Sequence, residues 1–157
     1  MILARMRSLV GEQNDYLDSS TRYRAKQTFD SVARTLLRQI ASLDEQSMIS
    51  TLAVLGKGSP SANFEILRPS SEQLNEIEQR VLRDFEIYLS HDISSVVANL
   101  IKLGHPPVYL LDMINKMNQV STFNKDQCVV MLEALTEAPE NEKTSRLKKE
   151  LFTKFFD

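Results

Sequence analysis

The side chains best suited to acid–base or metal chemistry are the two histidines of this 157-residue chain, His91 and His105. They stand at opposite ends of one predicted helix, and a rise of 1.5 Å per residue separates them by about 20 Å. They therefore cannot bind the same metal ion. We interpret each as a helix-terminus residue, with His91 near an N-cap and His105 beside the negative end of the helix dipole.

The acidic residues and the cysteine offer no stronger site. The acids of one predicted helix are interleaved with Arg80 and Arg83, as expected of a solvated face: Glu72, Glu76, Glu78, Asp84 and Glu86. Cys128 lies on an apolar stripe, which favours a small buried side chain over a reactive thiol. The chain has no glycine-rich phosphate loop, paired-cysteine motif or zinc-protease motif. The sequence predicts no catalytic residue, metal, cofactor or small-molecule substrate, and so a protein that is not an enzyme.

Cationic side chains are the first candidates for binding. Five lie along the first predicted helix: Arg22, Arg24, Lys26, Arg34 and Arg38. They form either a solvated face or a surface for an anionic partner such as RNA. Residues 1–42 hold seven Lys/Arg and four Asp/Glu, whereas residues 43–157 hold twelve and seventeen. The chain therefore lacks the overall basic excess of an autonomous nucleic-acid binder, although a local basic strip is compatible with this composition.

Aromatic side chains of the last predicted helix are the second candidates. The helix has an apolar face that consists of Leu147, Leu151, Phe152, Phe155 and Phe156. Its other positions include four lysines: Lys143, Lys148, Lys149 and Lys154. Such a face either closes the last repeat of the fold or binds a partner. On the second alternative, Phe152, Phe155 and Phe156 form a protein interface.

The element around which the chain is organised is a helix at 92–103. Asp92 is a suitable N-cap, and the apolar positions that follow have helical spacing. Gly104 is able to adopt a left-handed C-terminal conformation, and Pro106 and Pro107 stop the helix. The same pattern occurs 48 residues earlier and, more faintly, 32 residues later, so that Asp44 corresponds to Asp92 and Gly56 to Gly104.

The repeating unit is a helix pair, because the helix at 20–41 also aligns with the helix at 71–89. We predict an N-terminal segment at 1–19 and a single helical-repeat domain at 20–157 with a loop insertion at 56–70. The fold class is all-α: a short α-solenoid of about three antiparallel helix pairs plus a C-terminal closing helix. The predicted helices are 20–41, a helix ending at Leu55, 71–89, 92–103, 107–119, 125–136 and one from Pro139 to about 156.

Local patterns predict several details of these helices. Asp18, Ser19 and Ser20 are alternative caps for the first helix. Three further segments predict caps: Ser42–Glu45 or its rival Asp44, Ser70–Gln73, and Asn124–Gln127. For the helix at 107–119 two buried faces remain open, either Val108, Leu111, Ile114 and Met117 or Leu110, Met113 and Met117.

The stretch 92–105, which closes with Lys-Leu-Gly-His, resembles the helical repeats of the FAST-kinase-like, octotricopeptide and heptatricopeptide families. The close match covers about 14 residues, with a second copy at 44–57 and a loose helix-pair match over 20–136. The resemblance implies an organellar, largely mitochondrial helical-repeat protein that acts on RNA or resides in the mitochondrial ribosome.

These observations predict a non-catalytic subunit of a mitochondrial multiprotein assembly, with the mitochondrial ribosome as the first candidate. The alternatives are an RNA-binding repeat module of organellar RNA metabolism and an accessory subunit of a respiratory or ATP-synthase complex. The expected partners are other proteins and, on the alternative reading, RNA. The arginine-bearing start, MILARMRSL, is either a mitochondrial targeting segment or a docking segment. We expect the matrix side of the mitochondrion, or otherwise the cytoplasm, and no membrane span.

Overall fold

In the computed structural model, which describes residues 18–57 and 69–157, every regular element is a helix. The all-α prediction is therefore confirmed for this part of the chain. The helices are α1 (Ser19–Arg38), α2 (Glu45–Gly56), α3 (Ser71–Arg83), α4 (Phe85–His91), α5 (Ile93–Lys102), α6 (Val108–Lys116), α7 (Lys125–Glu137) and α8 (Glu142–Phe156). Two short 3-10 turns, Ile40–Ser42 and Gln119–Thr122, lie between them. None of the described helices is both long and apolar enough to cross a membrane.

The helices pack in two rows. α5 lies between α2 and α7, and α7 also packs against α8. In the other row, α3 lies between the 3-10 turn Ile40–Ser42 and α6. Two such rows are what a stack of helix pairs would form, with α2, α5 and α7 in one row and α3 and α6 in the other. The superhelical geometry of a solenoid stays a prediction.

The core follows from the apolar stripes of these helices. Val97 and Leu100 of α5 are fully buried, and so are Leu52 of α2 and Leu135 of α7 on either side of it. Each of these side chains is removed from water by a neighbouring helix and not by its own, which is how helices of modest intrinsic stability become fixed in a fold. The 92–103 element is thus the central layer of the molecule.

Most predicted N-caps are confirmed. The carboxylate of Asp18 accepts a hydrogen bond from the backbone N–H of Thr21 at 2.7 Å, and that of Asp92 accepts one from Ser95 at 3.1 Å. Reciprocal capping boxes form at Ser70–Gln73 and at Asn124–Gln127. The Ser42–Glu45 capping box is wrong, because the Ser42 hydroxyl donates to the Gln39 carbonyl and Asp44 caps α2 through Ser47.

The two glycines that correspond in the repeat have different roles. Gly104 has a φ of 83°, and a Schellman motif forms around it in which the N–H of His105 donates to the Leu100 carbonyl at 2.9 Å. Gly56 instead lies within the last turn of α2. A Cβ atom at Gly56 would collide with the side-chain amide of Asn99 on α5. Gly104 therefore ends a helix, whereas Gly56 lets two helices approach closely.

Several predicted helix boundaries are wrong. The continuous helix at 71–89 is interrupted at Asp84, a poor helix former whose side chain pairs with Arg80 and Arg83. The helix predicted at 107–119 ends at Lys116, and Asn118 then adopts a left-handed φ of 51°. Asparagine tolerates that conformation better than most residues.

The end of α1 and the beginning of α8 also differ from the predictions. Arg38 ends α1, and the following residues form a 3-10 turn instead of continuing to position 41. The last helix begins at Glu142 and not at Pro139, because Asn141 and Thr144 form a capping box there. The buried face of α6 mixes the two predicted alternatives: Leu110, Leu111 and Ile114 are buried, Met113 is half-buried, and Val108 and Met117 are exposed.

The predicted N-terminal segment at 1–19 and the predicted loop insertion at 56–70 fall only partly within the described residues. The segment 1–17, including its proposed targeting function, and residues 58–68 of the predicted insertion lie outside the described residues.

Candidate functional site

The basic residues of α1 do not form one strip. Arg22, Arg24, Arg34 and Arg38 are exposed, and Lys26 is half-buried. Successive helical residues are rotated by about 100°. Arg24, Arg34 and Arg38 therefore share the side of α1 opposite the buried Phe29, while Arg22 and Lys26 lie on the Phe29 side. A contact between these residues and RNA stays a prediction. A single RNA-binding face on α1 would contain Arg24, Arg34 and Arg38, which are three of the five cations.

Glu78 is the one acid of its segment that is wrongly predicted to be solvated. The other four, Glu72, Glu76, Asp84 and Glu86, lie at the surface or are half-buried, whereas Glu78 is only 2% exposed. The sequence contained a signal for this burial. Leu74, Ile77 and Val81 are buried on α3, and Glu78 completes the i, i+3, i+4, i+7 spacing of that buried stripe.

Both carboxylate oxygens of Glu78 have partners within the chain. Oε2 lies 2.7 Å from Nε2 of His105. Oε1 accepts hydrogen bonds from the backbone N–H groups of Tyr109 at 3.0 Å and Leu110 at 3.2 Å. These N–H groups belong to the first turn of α6, which has no carbonyl acceptors of its own there, and Pro107 provides no side-chain cap. Glu78 thus caps α6 from another helix.

The Glu78–His105 pair joins three elements. Glu78 lies on α3, His105 follows the C-terminal turn of α5, and the capped N–H groups begin α6. A carboxylate is favourable at a helix N-terminus because the helix dipole is positive there. His105 is therefore a partner of a buried acid as well as a residue beside a helix terminus. The two carboxylate oxygens of Glu78 and Nε2 of His105 thus make contacts that connect these three elements.

Two further residues with reactive side-chain types are His91 and Cys128. His91 is the last residue of α4. Cys128 is fully buried, as predicted, and burial raises the pKa of its thiol while nearby Lys154 acts in the opposite direction. Among residues 18–57 and 69–157, no three His, Cys, Asp or Glu side chains are grouped as a metal site.

The apolar side chains of α8 divide into an inner and an outer set. Leu147 and Leu151 are fully buried, and Phe155 is half-buried with the ammonium of Lys125 5.8 Å from its ring centroid. Because Lys125 begins α7 and Phe155 is near the end of α8, these two helices run antiparallel. The inner set therefore closes the helix stack, which is one of the two predicted roles of this face.

The outer set consists of Phe152 and Phe156, which we call the aromatic ridge. Phe152 is 58% exposed and Phe156 is 68% exposed. They lie one helical turn apart, their ring centroids are 4.9 Å apart, and the Phe156 ring also meets Phe155 edge to face at 5.1 Å. The two exposed rings thus form one continuous apolar surface next to the closed core.

No protein-family model, curated protein or solved structure matches this chain. The likeness of 92–105 to octotricopeptide-type repeats therefore stays a prediction from the sequence. What can be assigned to this chain follows from its own geometry.

Concave surfaces lie on two sides of the C-terminal helices. A groove of about 500 Å³ runs between the 118–121 segment and α8, and Lys149, Thr153 and Lys154 are among its lining residues. A smaller apolar hollow of about 90 Å³ lies between the beginning of α6 and the α7–α8 connection. Lys149 is next to the aromatic ridge on the helix, so the larger groove and the ridge are adjacent. Glu150 and Asp157 also line the groove, so its concave surface carries both cations and acids.

Proposed function

We propose that this chain is a non-catalytic helical-repeat subunit of a multiprotein assembly, and that the aromatic ridge contacts a neighbouring subunit. The observation that carries the proposal is the exposure of Phe152 and Phe156 beside a core that is already closed by Leu147 and Leu151. Full burial of a phenylalanine side chain contributes about 1.5–3 kcal/mol. Aromatic residues are also enriched at the centres of protein interfaces.

The engagement of the Glu78 carboxylate by groups of its own chain supports a non-catalytic role. A general acid or base needs a free polar atom within reach of a substrate. Both Glu78 oxygens are bound within the chain, and Nε2 of His105 contacts one of them. The most buried acid and its histidine therefore serve the packing of α3, α5 and α6.

The resemblance of 92–105 to organellar repeats favours the mitochondrial ribosome as the assembly and the matrix as its location. A respiratory or ATP-synthase complex would use the same scaffold. The experiment is sedimentation of the tagged chain from gently lysed cells of its source, with identification of co-sedimenting proteins by mass spectrometry. We expect the chain in a large particle, and we expect the double variant Phe152→Ser/Phe156→Ser to move toward the position of a free 17.9 kDa protein.

Tyr23→Ser is the matched control, because Tyr23 is also an exposed aromatic residue but lies on α1. It should leave the sedimentation unchanged. A wild-type chain that sediments only as a monomer contradicts the proposal.

RNA binding by α1 is the second candidate function, favoured by the shared face of Arg24, Arg34 and Arg38. Phosphate contacts release counterions, so affinity should fall steeply with salt. Removal of three contacts to single-stranded RNA by changing these residues to alanine should reduce the slope of log affinity against log salt by about 2. Affinity for an RNA oligonucleotide that is independent of salt, or unaffected by the triple change, contradicts this function.

A further inference from the structure

We draw no further inference here: the strongest candidate, the aromatic ridge of Phe152 and Phe156 on α8, is an exposed apolar face bordered by lysines as well as acids, and nothing in the structure shows what covers it.

Discussion

Glu78 and the aromatic ridge are two opposite departures from the usual division between a polar surface and an apolar interior. Glu78 is a charged residue type buried to 2% exposure, and Phe152 and Phe156 are large apolar residues exposed by more than half. The difference lies in their partners. The Glu78 carboxylate is bound by a histidine and by two backbone N–H groups of its own chain. The outer faces of the Phe152 and Phe156 rings are exposed and are not part of the core. The first departure is resolved by folding, whereas the interface proposed above would resolve the second.

This comparison separates stability from binding. A buried carboxylate without partners is strongly unfavourable, so its partners and the helices that carry them must stay in place. Exposed phenylalanines contribute little to folding because they remain in contact with water in both the folded and the unfolded chain. We therefore expect changes at Glu78 to destabilise the fold and changes at the ridge to affect only association.

The largest expected effect is that of Glu78→Ala. The change leaves the N–H groups of Tyr109 and Leu110 and the ring of His105 without their acceptor, and we expect a loss of about 3–5 kcal/mol in the free energy of unfolding. Urea denaturation followed by circular dichroism measures it. Glu76→Ala is the control on the same helix, because Glu76 is exposed, and it should change stability by less than about 0.5 kcal/mol. Equal effects of the two changes would remove the distinction on which the comparison depends.

A purely apolar core position calibrates this scale. Leu100 is fully buried on α5, and Leu100→Ala should lower the free energy of unfolding by about 2–5 kcal/mol through lost burial and a residual cavity. The measurement is again urea denaturation. An unchanged unfolding midpoint would mean that α5 is not the central layer of the fold.

A local cap should matter less than the cap supplied by Glu78. Asp92 accepts hydrogen bonds from the N–H of Ser95 and the hydroxyl of Ser94 at the beginning of α5. Its replacement by alanine should cost about 1 kcal/mol, the usual value for an N-cap. Asp92→Asn retains the acceptor and should recover most of the loss in the same thermal or urea titration. A loss of stability as large as that of Glu78→Ala would show that a local cap and a cap from a distant residue contribute equally, against our expectation.

The sequence predicted those features that depend on neighbours in the chain. Asp92, Ser70 and Asn124 are recognisable as caps from their residue types and positions, because an N-cap side chain binds an N–H only three residues later. The structure contains each of these bonds. The break at Asp84 was missed because the apolar spacing continues through it to Phe85 and Tyr88, which are both buried. Periodicity reports which side of a helix is buried and is insensitive to a local change of backbone angle.

The candidate sites were less predictable, since their partners are distant in sequence. Glu78 meets His105 and Tyr109 across 27 and 31 residues, and only its place on the buried stripe of α3 indicated its burial. For α8, the sequence left closure and binding open as alternatives. The position of α7 resolved the inner set, because Leu147 and Leu151 are fully buried and Phe155 is half-buried, while Phe152 and Phe156 remain exposed.

The smallest expected effect on stability is that of the ridge itself. Phe152→Ser and Phe156→Ser should each change the free energy of unfolding by less than about 0.5 kcal/mol, because neither ring is buried in the core. Denaturation of both single variants and of the double variant measures it. A large loss of stability would show that the ridge closes the fold instead of remaining available to a partner.

The central claim is most directly tested by a photo-reactive phenylalanine analogue placed at position 152 of the full chain in cells of its source. The same analogue at Glu133, which is exposed on α7, is the control for nonspecific capture. We predict that irradiation joins position 152 to one recurrent protein, that Phe156→Ser abolishes the product, and that position 133 gives none with the same protein. Absence of a protein cross-link at 152, or the same product from 133, would contradict an interface at the aromatic ridge.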